Sequence, residues 1–268
     1  MLSVTVTRHM GSRMRGNDGA SFHWFPLNLR LTLRLARILI HLLEGLATCA
    51  ILFPWVGAGR RNARIQNWSR RLLAICDVTV AAPSGAPALH HALVVANHVS
   101  WLDIFVINAV HPCRFVAKSE IREWPVLGWL TEQAGTVFIA RGSRRDLRSV
   151  FKGIVAALQM GARVAFFPEG TTAPQGTVLP FHANLFEAAV DAKVQVQPYA
   201  LRYLDAHGAL HPAVDFIGDM TFAQSVIAIL ASGSIRAELV RLAPIDAAGA
   251  HRRELADQAH DAIGSALG

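Results

Sequence analysis

The chain has 268 residues, 52% of them hydrophobic, with a formal net charge of +7 and a mean hydropathy of +0.32. This is long enough for one sizeable domain plus an appendage, and it is too polar for a polytopic membrane protein. Three cysteines, Cys49, Cys76 and Cys113, stand far apart with no CxxC pair, which excludes a disulfide framework and a cysteine-built zinc site and points to a reducing compartment.

The charge is unevenly placed. Residues 1–71 hold eleven arginines, no lysine and only Asp18 and Glu44, for a net +9, while the remainder carries −2. A basic segment on a near-neutral body calls for an anionic partner. Residues 1–22 show no periodic apolar pattern and are expected to be disordered; the h-region and cleavage site of a signal peptide are missing there. Residues 23–74 are expected to form a helical hairpin. Leu35 to Val56 is strongly apolar, yet Arg30, Arg34, Arg37, His41 and Glu44 recur every three or four residues along one face. Such a stripe suits a helix lying in or dipping into a membrane interface, since charges at the centre of a spanning helix cost a few kcal/mol each. A simple spanning anchor remains the other reading. Pro54 and the Gly57-Ala58-Gly59 run end this helix. Arg60, Arg61, Arg64, Arg70 and Arg71 decorate a second helix with Trp68, giving cations for lipid phosphates. Nucleic acid is not expected as the partner, because these cations are embedded in apolar helices.

From residue 75 to 268 strand and helix patterns alternate. Strands are expected at Val78–Val80, Ala92–Ala96, Arg114–Ala117, Gly135–Ile139, Arg163–Phe167, Val194–Leu201 and 235–241. Pro198 is expected to put its strand at an edge or a bulge. Helices are expected after Asp103, over Glu120–Glu132, 144–160 and Phe181–Val190, near 221–231 and over 251–266. The class is therefore α/β: a single mixed, mostly parallel sheet flanked by helices, with the N-terminal hairpin membrane-associated.

Polar residues follow directly on four of the apolar strands: His98, Lys118, Arg141 and Glu169. Ligands of open α/β sheets gather at the carboxyl ends of strands. Ser100 reads as the N-cap of the next helix, and Asp103 in its first turn can reach back to His98. A carboxylate on one ring nitrogen fixes the tautomer and leaves the other free to take a proton. In the plainer reading, Asp103 only caps the helix. Lys118 and Arg141 suit a phosphate, or are solvated strand-end charges; Glu169 adjoins the ligand, or caps its own turn. Gly170 lets backbone approach closely, and N–H groups of Gly170-Thr171-Thr172 could meet a developing oxyanion. Neither Ser100 nor Ser143 sits in a GxSxG elbow, and His98 with Asp103 gives only two ligands, so neither a serine hydrolase nor a metal site is expected. A non-catalytic lipid-binding adaptor on the same fold is the competing class.

Four blocks in order, HxxxxD within Asn97–Asp103, GxVFIxR at Gly135–Arg141, FPEGT at Phe167–Thr171 and VxP at Val196–Pro198, resemble the glycerolipid acyltransferases of the 1-acyl-sn-glycerol-3-phosphate acyltransferase type. The resemblance implies His98 as general base, oriented by Asp103, on the hydroxyl of lysophosphatidic acid. That hydroxyl attacks an acyl thioester directly. It implies Arg141, Glu169, Gly170, Thr171 and Lys118 as acceptor-binding residues. It implies no cofactor or metal, with acyl-CoA or acyl carrier protein as co-substrate, and a place on the cytoplasmic side of the inner membrane. Two departures from the pattern stand out: Ala140 where Asp often precedes the Arg, and Thr172 where Arg often follows the Thr. Loss of that cation opens lyso-ornithine lipid as an alternative acceptor, unless Arg144, Arg145 or Arg202 compensates.

Overall fold

The computed structural model describes residues 29–81, 84–139 and 144–268, with side chains over the same ranges except 144–150. The expectation of disorder over 1–22 lies outside these residues. In chain order the elements are α1 (Leu29–Ala47), α2 (Ala58–Ile75), β1 (Val78–Val80), β2 (Ser84–Gly85), β3 (Ala92–Ala96), α3 (Leu102–Val110), β4 (Arg114–Lys118), α4 (Leu127–Gln133), β5 (Val137–Ile139), α5 (Arg144–Gln159), β6 (Arg163–Phe166), α6 (Glu187–Ala192), β7 (Val196–Leu204), α7 (Phe222–Ala231), β8 (Ile235–Arg241) and α8 (Arg252–Leu267).

One eight-stranded sheet runs β1-β8-β7-β3-β6-β4-β5, with β2 also on β8. Strands β7, β3, β6, β4 and β5 are mutually parallel, and the turn of direction falls at the antiparallel β7–β8 pair. The mixed, mostly parallel sheet read from the sequence is therefore the observed one. Strand β3 is buried on both faces, which is why Ala92–Ala96 is apolar at every position rather than alternating. Val94 and Ala96 enter the core shared with α2, α3 and α7. Leu93 and Val95 enter the core shared with α5, α6 and α8.

Of the two places expected for Pro198, an edge or a bulge, the structure has the second: Pro198 is buried in β7, between β3 and β8, where the register towards the β8 side slips by one residue. Its carbonyl accepts from Leu242 N and the next bridge is Val196 with Ile245, so the missing N–H faces the gap where the ladder on that side is interrupted just past β8. The expected helix over Glu120–Glu132 is broken. A 3-10 turn covers Ser119–Glu123, and α4 begins only at Leu127. Pro125 holds Trp124 in the extended region, at φ −68° and ψ 125°.

Helix α1 carries its polar stripe inward. Arg34 is buried and donates to Leu230 O at 2.7 Å and to Asp77 at 2.6 Å, so a cation covers the carbonyls at the end of α7. His41 stacks on Trp68, with ring centroids 4.4 Å apart, and the two exchange side-chain hydrogen bonds to each other's backbone carbonyls. Gly45 leaves the room Trp68 occupies, since a Cβ there would lie 2.8 Å from its indole nitrogen. Arg70 and Gln66 of α2 likewise donate to carbonyls at the end of α3. The opposite face of α1 exposes Leu29, Leu33, Leu39, Ile40 and Leu43, and helical structure continues to an exposed Trp55. The run Leu29–Trp55 is 27 residues and holds an 18-residue window of mean hydropathy 1.8, long and apolar enough to cross a membrane by length and composition.

Candidate functional site

The parallel strands β3, β6 and β4 are consecutive neighbours, so their carboxyl ends share one edge. His98 follows β3, Glu169 follows β6 and Lys118 ends β4. Phe115 pairs with Ala165, which carries Lys118 out of the sheet level with Pro168. Arg141 lies outside the described residues, although β5, which leads to it, pairs with β4 on that edge.

The centre of the site is a carboxylate saturated with donors. Asp103 is fully buried, and its Oδ2 accepts from His98 Nδ1 at 2.8 Å, Val99 N at 2.7 Å and Ser100 N at 2.9 Å. Its Oδ1 accepts from the Tyr203 hydroxyl at 2.6 Å. A carboxylate can only accept, so Nδ1 of His98 carries a proton, and in the neutral ring Nε2 holds the lone pair. The ring is held in plane by Phe167, stacked at 3.9 Å and 6°, and the His98 side chain stays 20% exposed. Asp103 therefore both organises the turn entering α3 and orients the histidine. Helix α3 runs from Leu102, and the turn into it opens at Ser100, whose Oγ accepts from Leu102 N at 3.4 Å and whose N–H donates to the Asp103 carboxylate, as in a capping box. The same carboxylate also reaches back to Val99 N.

Glu169 faces the same histidine from below. Its Oε1 accepts from His98 N at 2.7 Å and its Oε2 from Leu179 N at 2.9 Å, while Ala173 N donates to His98 O at 2.8 Å. The loop after β6 thus clamps the His98 peptide on both sides. Burial pushes the Glu169 carboxyl above its ordinary range, opposed by the N–H groups of Leu179 and His98. Glu169 thereby positions His98, and each of its oxygens keeps room for a further donor.

Gly170 adopts φ +69°, which needs glycine; a Cβ there would also lie 3.3 Å from His182. Its N–H is spent on Phe167 O, while those of Thr171 and Thr172 have no hydrogen-bond partner among the described residues. Thr171 is exposed beside them. The Thr172 hydroxyl donates to Phe216 O, so the position often held by arginine is used as a loop tie. Arg202 does not compensate: it lies on the face of β7 opposite Tyr203 and pairs with Glu238. Lys118 is exposed at its strand end.

Three contributors escape sequence reasoning. Tyr203 reaches Asp103 only because β7 lies beside β3; the sole hint is that Tyr199 and Tyr203, the chain's two tyrosines, share a strand face. Burial, then the Asp103 charge, holds the Tyr203 phenol well above its ordinary value, so it remains a donor. Phe167 supplies the ring stack. Asn97 pairs its side-chain amide with both N and O of Leu201, at 2.8 and 2.9 Å, and so prolongs the β3–β7 ladder up to His98.

An apolar cavity of about 150 Å³ lies between the hairpin and the body, lined by Cys49, Phe53, Trp68, Phe105, Phe115 and Leu130 among others. Phe115 also packs on Phe167, 5.9 Å between centroids, so one aromatic ring separates the cavity from the one stacked on His98.

Comparison with known proteins gives consistent likenesses. The acyltransferase family profile matches residues 77–202. A 1-acyl-sn-glycerol-3-phosphate acyltransferase of Neisseria meningitidis is 47% identical over 151 residues, 55% of this chain and 58% of that one, so the match spans little more than half of that relative. The lyso-ornithine lipid O-acyltransferase of Pseudomonas aeruginosa is 38% identical over 251 residues, 89% of this chain and 94% of that one. The crystal structure of the Thermotoga maritima 1-acyl-sn-glycerophosphate acyltransferase PlsC shares the fold, with TM-score 0.57 at 22% identity, covering 87% of this chain and 96% of that one.

Proposed function

The chain belongs to the acyltransferase family, and from that premise we propose that it transfers a fatty acyl group from an acyl thioester to the hydroxyl of a single-chain membrane lipid. The observation that carries this is the His98–Asp103 pair, which fixes the proton of the neutral ring on Nδ1 and so makes Nε2 the acceptor at the carboxyl edge of the sheet. Nε2 takes the hydroxyl proton as the acceptor oxygen attacks the thioester carbonyl. The C–O bond forms, the C–S bond breaks, and the proton passes from His98 to the departing thiolate. The N–H groups of Thr171 and Thr172, which have no partner among the described residues, are the groups assigned to the transient oxyanion. Direct transfer is supported by Ser100, the hydroxyl nearest His98 in sequence, being fully buried rather than presented as a nucleophile. The donor carrier is acyl-CoA or acyl carrier protein, and the apolar cavity beside Phe115 seats the acyl chain.

Membrane association follows from α1. Arg34 and His41 of its polar face are buried against the body while its apolar face is bare, the reverse of a soluble amphipathic helix. A helix packed along one side can embed only the other, so the hairpin lies in one leaflet rather than crossing as an isolated span. Of the arginines expected to meet lipid phosphate, Arg34, Arg61, Arg70 and Arg71 are engaged internally. Arg37, Arg60 and Arg64 are exposed and remain for that role.

Lysophosphatidic acid is the first acceptor reading, supported by the higher identity, 47% over 151 residues, to the Neisseria relative. Lyso-ornithine lipid is the second, favoured by near whole-length similarity to the Pseudomonas relative and by Thr172 in place of a cation. A panel of lysophosphatidic acid, other lysophospholipids and lyso-ornithine lipid with one acyl donor, read by product mass, separates them. No product with any acceptor, or undiminished product from His98→Ala, would overturn the enzyme reading and leave a lipid-binding adaptor.

A further inference from the structure

A second apolar patch lies on the catalytic body, apart from α1. Trp124, Val126, Trp129 and Ile227 are 41%, 46%, 39% and 48% exposed. The segment that presents three of them is tightly specified. Leu127 N donates to Pro125 O at 2.7 Å across Val126, whose φ is +67° and ψ −55°. This is a γ-turn of the strained kind, centred on a β-branched residue. Gly128 closes the turn, donating to Trp124 O, and presses on Arg122 O so tightly that a Cβ would lie 2.1 Å from it. Backbone strain is held here to point a valine outward, and strain of that kind marks functional segments. For a purely solvated turn, an outward valine flanked by two tryptophans serves nothing.

The patch is tied to both the site and the bare face of α1. Trp124 packs on Phe222, 5.6 Å between centroids, and Phe222 packs on Trp101 at the start of α3. Phe222 opens α7, which carries Ile227 and lies against α1. Phe216, a few residues earlier, donates its N–H to Val99 O beside His98. Exposed apolar groups therefore continue from α1 across α7 to the turn before α4, bordering the edge that holds His98. Exposed tryptophans at such a border suit the headgroup level of a bilayer, where one side of the ring is apolar and the other wet.

We propose that the Trp124–Trp129 turn is a second membrane-inserting element, which with α1 holds the mouth of the site against the headgroup plane so that a single-chain lipid reaches His98 without crossing water. This rests on the reading of α1 as membrane-docked. The native cysteines are all buried, so single surface cysteines can be labelled selectively. Val126→Cys, Leu39→Cys on α1 and Ser265→Cys on α8 each receive an environment-sensitive fluorophore in the full-length chain. Each is then reconstituted into phosphatidylethanolamine–phosphatidylglycerol vesicles bearing acyl-chain nitroxide. The Val126 and Leu39 labels are expected to be quenched about twofold, as for groups seated roughly 5–10 Å into the headgroup–acyl boundary, and the Ser265 label scarcely at all. Quenching at Leu39 with Val126 at the Ser265 level overturns this inference and leaves α1 docked. Quenching at neither position overturns the membrane reading itself. As an independent variant, Trp129→Glu should raise the vesicle concentration for half-maximal acyl transfer about tenfold; an unchanged requirement also overturns the inference.

Discussion

Replacing Asp103 by Asn tests the centre of the site most directly. The carboxylate accepts four hydrogen bonds, three on Oδ2 and one on Oδ1. An amide has one acceptor atom. Turned with its NH₂ toward His98, it would confront three N–H donors with a donor. The less costly orientation keeps the amide oxygen on His98, Val99 and Ser100 and sets NH₂ against the Tyr203 oxygen, leaving the buried phenol proton without an acceptor. Three charge-assisted bonds become neutral, each losing about 1 kcal/mol, and the orphaned hydroxyl adds about 1–3 kcal/mol. Part is recovered because a buried charge is removed, so the net destabilisation is about 3 kcal/mol. The histidine keeps its tautomer but loses the charge that stabilises it once protonated, so kcat should fall about 10²–10⁴-fold. Thiol release from the acyl thioester in the presence of acceptor measures the rate, and urea unfolding measures the stability. A folded variant turning over within about threefold of the parent would refute the dyad, since it would mean that proton acceptance at His98 does not need the carboxylate.

Tyr203→Phe removes one donor to the same carboxylate and leaves the others. It should cost about 1.5–3 kcal/mol in urea unfolding, with a smaller fall in kcat than Asp103→Asn, and the pair should be strongly non-additive because they share one interaction. Glu169→Gln keeps shape but offers an amide NH₂ to either His98 N or Leu179 N. Acyl transfer should drop about tenfold or more while KM for the acceptor changes little; a loss confined to KM would instead show Glu169 contacting the acceptor directly. His111 is held down to about 4 by burial, assisted by the charges of Arg163 and Arg241, and its Nδ1 has no hydrogen-bond partner among the described residues. Its folded value lies below the unfolded 6.5. Stability is therefore full above about pH 6.5 and is lost as pH falls toward 4, by about 2 kcal/mol between pH 7.5 and 5. His111→Gln should flatten that acid limb in urea titrations at the two pH values, and an unaltered slope would rule His111 out as its source.

Several features were legible from residue order because they depend on local chemistry. The apolar run Ala92–Ala96 reads as a buried strand because all five side chains are inside. The alternation of strand and helix implies parallel neighbours, and parallel neighbours deliver His98, Lys118 and Glu169 to one edge. The arginine and histidine spacing on α1 identified a single polar stripe, and the five-residue interval from His98 to Asp103 fits a carboxylate reaching back from a first helical turn. These follow from periodicity, caps and turns, all of which act over a few residues.

What lay beyond the sequence concerns partners distant along the chain. Periodicity shows that α1 has a polar face but not which way it turns. Packing decided that Arg34 meets Leu230 and Asp77, leaving the leucines bare. Pro198 read as an edge or bulge residue because a missing donor is costly in a ladder, and only the one-residue slip in register past β8 decided for the bulge, in the middle of the sheet. Glu169 read as a ligand or a cap for its own turn; it also holds the His98 peptide seventy-one residues away, which no local pattern reveals. Tyr203, one hundred residues from Asp103, joins the dyad only through the β3–β7 pairing. The sequence by itself determined the His98–Asp103 pairing and the fold class, since both rest on short-range geometry. The tertiary structure decided how that pair is clamped and which face of the chain is left for lipid, because those contacts form only when remote strands and helices come together.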